Sequence, residues 1–191
     1  MRRLAIHDGL VSSRRLALTA NPARLGAWEL AALGGIGFLT AVLNAYVKPS
    51  LGIPGSSIVF VTIPLALGMA LVPRKGAGIA IGLSSLASML LLHKAGAGAI
   101  TSMVATAVFL DLALRNAKSG LRLYTGFVLA GLAGNTVAFF ARGLAKAIGF
   151  EPGHLPLAAW AGHGAISYAL CGALAGFMGA VMWFHFGKRA K

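Results

Sequence analysis

The chain has 191 residues, of which 58% are hydrophobic and 11% charged, with a mean hydropathy of +0.80 and a formal net charge of +13. A soluble globular domain is about half apolar and a quarter charged, so this balance excludes that class and indicates an integral membrane protein. Nucleic-acid binding is excluded as well, because the basic residues fall between apolar runs and do not gather on an amphipathic face interleaved with aromatics.

Residues 1–28 form a basic segment, broken by Asp8, Gly9, Asn21 and Pro22 before any run is long enough for a signal peptide. The first apolar run, about 30–47, lacks a good cleavage site at Leu43 and Ala45 and is retained as the first span. Five more runs follow at about 56–73, 76–93, 97–115, 122–142 and 158–186. Each approaches the roughly 20 residues that a bilayer core of about 30 Å requires, the second and third being shorter. Pro73 ends the second and Gly76 eases the start of the third. The sequence therefore predicts an all-α membrane protein, a compact bundle of six transmembrane helices over 29–187, with a basic tail at 188–191.

The basic residues set the orientation. Arg2, Arg3, Arg14, Arg15 and Arg24 precede the first span. Arg74 and Lys75 lie in the second loop, Arg115, Lys118 and Arg122 around the fourth, and Lys188, Arg189 and Lys191 at the end. These thirteen share one side of an alternating path, against Lys48, Lys94, Arg142 and Lys146 on the other. The split predicts both termini in the cytoplasm. The outward loops are the elaborated ones: the first (about 48–56) and the fifth (about 143–157) carry Pro, Gly and other polar residues. In the first loop, Ser56 and Ser57 have the chemistry to cap the second helix, and Pro64 within that helix is expected to kink it.

Polar groups at membrane depth are costly and are default candidates for function. An i,i+4 ion pair with Arg115 accounts for Asp111, and Glu29 is read as an interfacial residue. Small residues at helical spacing, Gly78 with Gly82 and Gly172 with Gly176, read as packing positions; Ala27, Ala31 and Gly35 on the first span read as packing or as a seam for another subunit. Near the outward end the set is richer: Asn44, Lys48, Ser56, Ser57, His93, Asn135, Arg142, Trp160, His163 and Ser167 come from several spans at similar predicted depth. Asn135 is about two turns inside the outer end of span five. Trp160, His163 and Ser167 recur at i, i+3 and i+7 and share one face. Trp160 alone also fits an aromatic belt at the interface. His93 and His163 keep open a second class of reading, a haem- or metal-binding membrane subunit of a redox or metal-uptake complex, although no HExxH or CxxC motif accompanies them. No P-loop is present, and Cys171 is the single cysteine, so no internal disulfide exists.

The passage "GIPGSSIVFVTIPLALGMALVPRKGAGIAIGLSSL" combines a proline-containing loop, a second span, a turn of "GPRxG" style written here "VPRKGAG", and a glycine-rich third span. Over about 50–86, with the six-span count, it resembles the substrate-binding S components of energy-coupling factor (ECF) vitamin transporters, and the biotin-transporter branch in particular. The resemblance implies no enzyme activity and no cofactor. It implies a pocket for a vitamin or related small organic nutrient near the outer face under the first loop, in the cytoplasmic membrane of a prokaryote. It further implies docking through the small-residue face of Ala27, Ala31 and Gly35 to a transmembrane coupling subunit driven by two cytoplasmic ATPases. Within that frame Lys48, Arg142 and a histidine would supply charge or hydrogen bonds, Asn135 and Ser167 would fix polar edges, and Trp160 would stack on a ring.

Overall fold

The computed structural model describes residues 25–47, 55–94, 96–116, 120–149 and 164–186. All the regular structure in these residues is helical: α1 (Ala27–Tyr46), α2 (Ile58–Leu71), α3 (Ala77–Leu91), α4 (Ala97–Asn116), α5 (Gly120–Ala147) and α6 (Ala165–Phe186). Four of them, α1, α4, α5 and α6, are long and apolar enough to cross a membrane. The other two are apolar but have only 14 and 15 residues, about 21 and 22 Å of helix. The helices follow the predicted runs, except that α5 continues to Ala147 and so carries Arg142 and Lys146 on helix, and that α6 begins at Ala165, the start of the sixth run at 158–163 lying outside the described residues.

The packing partners define an arc in which α1 lies on α3, α3 on α4, α4 on α5 and α5 on α6. Helix α2 closes it, contacting α6 and α1 on its flanks and also α3, α4 and α5. Its sequence explains that central position. Ile58, Val61, Thr62, Pro64, Leu65, Ala66, Gly68, Met69 and Ala70 are all buried, and a helix apolar on every side belongs inside a bundle. The Thr62 hydroxyl donates to the Ile58 carbonyl at 2.9 Å, so this buried hydroxyl carries no unmet demand.

Lipid supplies no hydrophobic drive between helices, so close packing must hold them, and small residues supply it. Along α5 and α6, a Cβ on Gly131 or Gly176 would fall inside van der Waals contact with backbone atoms of the facing helix, the Gly172 carbonyl and the Phe127 carbonyl respectively. Gly78 and Gly82 of α3 likewise meet Ala107 of α4. These glycines pack within the chain. Gly35 on α1 does not: nothing lies within 4 Å of its Cβ position.

The turn between α2 and α3 is tied from two sides. Helix α2 stops at Leu71, two residues before Pro73, and Gly76 adopts a left-handed φ of +86° at the start of α3. Its N–H donates to Asp111 Oδ1 at 2.9 Å, while Asp111 Oδ2 pairs with Arg115 at 2.9 Å. Arg74 in the same turn donates through Nε to Glu29 Oε1 at 2.7 Å. The other Glu29 oxygen accepts from the Gly26 N–H at 2.8 Å, which satisfies one free donor at the start of α1. The expected Asp111–Arg115 pair is present, and Glu29 is more than interfacial, because it joins α1 to this turn.

The glycine contacts generate a paired prediction. Gly176→Ala forces backbone apart and should destabilise the chain by about 1–3 kcal/mol, whereas Gly35→Ala should be neutral or stabilise by up to about 1 kcal/mol through helix propensity. Thermal unfolding of both variants in detergent checks this; equal stability of the two would contradict the packing described.

Candidate functional site

The opening turn of α2 carries the main polar constellation. Gly55 has a left-handed φ of +85°, and a Cβ there would approach both Asn135 Nδ2 and the Tyr168 ring and Cα at 3.0 Å. Glycine is needed at this position for its backbone angle and for the room it leaves. The first turn then closes through tight i→i+3 bonds, in which Ile58, Val59 and Phe60 donate to the carbonyls of Gly55, Ser56 and Ser57 at 3.1–3.3 Å. This corrects the expected serine cap. Ser57 is already in the αR conformation and makes no side-chain cap bond. The carbonyls of residues 55–57 take the donors that a cap would have served.

Asn135 of α5 is 2% exposed and reads this turn through its amide. Its Nδ2 donates to the Tyr168 carbonyl of α6 at 2.6 Å and to the Gly55 carbonyl at 3.3 Å. One side chain thereby joins α2, α5 and α6. Tyr168 is held at its other end too: its ring packs edge-on against Phe139 with centroids 5.3 Å apart, and its hydroxyl accepts from Arg142 Nη1 at 3.3 Å. Asn135, Phe139 and Arg142 fall at i, i+4 and i+7 on one face of α5, so a single tyrosine is gripped along two turns. Ala138, Phe139 and Tyr168 make a buried cluster of their own, apart from the main core.

Depth along α5 gives this joint its setting. Asn135 lies twelve residues before Ala147, about 18 Å short of the helix end, compared with the two turns expected from sequence. At the first turn of α4, Gly98 packs against Arg142, seven residues beyond Asn135. Helices α4 and α5 therefore continue together about 10 Å past the level at which α2 begins.

The other sequence-predicted residues distribute as follows. Asn44 is buried near the C-terminal end of α1, on the same face as buried Gly37 and Ala41. Ser56 is half-buried and Ser57 exposed in the α2 turn. Ser167, half-buried on α6, has a bonding neighbour, and exposed Arg142 has one besides Tyr168. Lys48, Trp160 and His163 lie outside the described residues. Ala27, Ala31 and Gly35 all lie on the exposed side of α1.

His93 is exposed and has a backbone role. It adopts φ +52° just after α3, its N–H donates to Leu90 and that of Lys94 to Met89, both at 3.1 Å. This is a Schellman stop with histidine where glycine is usual. Among the described residues no three His, Cys, Asp or Glu side chains gather as a metal group would require. Sequence reasoning placed Gly55 among the turn-forming glycines of the first loop, which its φ of +85° bears out, but missed its contact with Asn135, and missed Phe139 and the part played by Tyr168. The i, i+4, i+7 spacing of Asn135, Phe139 and Arg142 was the available signal.

No family model matches the chain, and no curated protein or solved structure is significantly similar to it.

The Asn135 joint yields a direct expectation. Asn135→Asp keeps the shape but presents an oxygen to two carbonyls, so both donors are lost. A loss of about 2 kcal/mol follows from leaving buried acceptors unmet, lowering Tm by roughly 4–8 °C for a chain of this size. Thermal unfolding checks it, and an unchanged Tm would mean that the amide is not an anchor.

Proposed function

We propose that the chain is the substrate-binding subunit of an ECF-type uptake transporter for a vitamin or related small organic nutrient. In this reading all six helices lie within the membrane, both termini are cytoplasmic, and the site is outward, beside the first loop. The observation that carries it is the level at which α2 begins. Its first turn meets Asn135 well below the ends of α4 and α5, and the segment just before it is the Pro- and Gly-containing first loop with Lys48. Recessed polar groups from several helices, with longer helices rising beside them, suit a small ligand that must be enclosed and oriented.

Two further features support the reading. On the alternating path read from the sequence, thirteen of the seventeen Lys and Arg residues share the side assigned to the second loop, against Lys48, Lys94, Arg142 and Lys146, whose charge would favour a partly anionic ligand. The exposed side of α1 carries Ala27, Ala31 and Gly35 together with Trp28, which is 89% exposed. A face of small residues open at Gly35 fits a helix of a coupling subunit, with ATP hydrolysis supplied by separate ATPase chains.

Thermal unfolding of the purified chain against a panel of water-soluble vitamins and their precursors tests the proposal. One compound at a hundred times its Kd should stabilise by about 2.7 kcal/mol, a rise in Tm of roughly 5–10 °C. Arg142→Ala and Lys48→Ala should each weaken that response if the ligand is anionic. Absence of a shift with every compound at millimolar concentration would contradict the proposal.

A further inference from the structure

A shallow groove of about 390 Å³ runs between α4 and α5, from the first turns of α5 to Ala133, two residues short of Asn135. Leu112 and Ala113 line one wall and Gly126, Leu129 and Ala133 the other, with Arg122 at its mouth in the first turns of α5. The groove exists because α4 and α5 meet closely: a Cβ on Gly126 would lie 3.0 Å from the Ala113 Cβ, so little rises between the two walls. Leu112 is 50% and Leu129 62% exposed, so the groove opens outward from the bundle. From Arg122 to Ala133 it follows eleven residues of helix, about 16 Å, apolar along its length and cationic at one end.

We infer that this groove is a binding site for an anionic glycerophospholipid, with one acyl chain lying along it and the phosphate against Arg122. The charge pattern selects this occupant. Arg122 is the charged residue in the groove lining, and the nearby acid, Asp111, is buried and committed to Arg115 and the Gly76 N–H. Arg122 has a neighbour of its own, but a guanidinium carries five donors and one contact does not exhaust them. The Thr125 hydroxyl, beside it, donates inward to the Leu121 and Arg122 carbonyls at 3.2 and 3.1 Å, so it presents only an oxygen outward and the guanidinium is the donor available to a phosphate. A basic recess between helices at the membrane surface is the arrangement that retains anionic headgroups, while a zwitterionic lipid gains much less from the same site. The inference requires a membrane setting and does not depend on the transport reading.

The test uses the purified full chain in mild detergent with phosphatidylglycerol or phosphatidylcholine of identical acyl chains, retained lipid being counted by native mass spectrometry. Wild type should retain phosphatidylglycerol about five- to tenfold better, a preference that falls as salt is raised. Arg122→Gln should remove the preference while the chain remains folded in detergent alone. Ala133→Phe, which fills the groove, should reduce retention of both lipids. Equal retention of the two lipids by wild type, or an undiminished preference in Arg122→Gln, would overturn the site. So would a second membrane chain displaced by Ala133→Phe in the absence of any lipid preference.

Discussion

The amide of Asn135 is the constraint on which the upper half of the molecule depends. Helix α2 is too short to be held at its ends by the bilayer and has no polar face to orient it. Its position is set by what grips its first turn, and that grip is one buried side chain bonded to backbone carbonyls of α2 and α6. In an interior of low dielectric these bonds are strong, and leaving them unmade is costly. Gly55 follows as a consequence, because a side chain there would displace either the amide or the tyrosine. The Tyr168–Arg142 contact extends the same hold outward by two turns of α5.

The opposite end is organised on a different principle. There the polar contacts are ionic and converge on a tight turn, with Glu29 and Asp111 reaching the α2–α3 connection from α1 and α4. Helix α2 is thus fixed at its start by amide bonds and at its end by carboxylates. Between the two, glycine-to-backbone approach replaces the hydrophobic drive that lipid cannot give. A bundle held in this way has an ionically tied turn at one end of α2 and, at the other, a first turn that lies below the ends of α4 and α5.

Much of this organisation was legible in the sequence. Six apolar runs became six helices, Pro73 and Gly76 marked the α2–α3 turn, Asp111 found Arg115, and Asn135 was singled out by its depth. What was not legible was every contact whose partner is backbone or distant in the chain. Asn135 binds carbonyls, which carry no residue signature. Glu29 and Arg74 are separated by 45 positions, and Gly76 and Asp111 by 35. The serines at 56 and 57 looked like caps, yet the first turn of α2 closes on its own carbonyls. His93 was singled out by its predicted depth, while the backbone role that its φ of +52° gives it as a helix stop is a property that sequence does not announce. The length of α5 was underestimated because Arg142 and Lys146 look like loop residues, although a helix that passes beyond the bilayer core accommodates charge freely.

The central claim is that a single amide fixes the start of α2 below the ends of α4 and α5. Hydrogen–deuterium exchange of the chain in lipid nanodiscs, wild type against Asn135→Leu, addresses it residue by residue. Exchange should accelerate selectively in the first turns of α2, residues 55–62, while the α2–α3 turn at 72–77, held by Glu29 and Asp111, keeps its protection. Unchanged exchange at 55–62, or a uniform rise across the whole bundle, would contradict the claim.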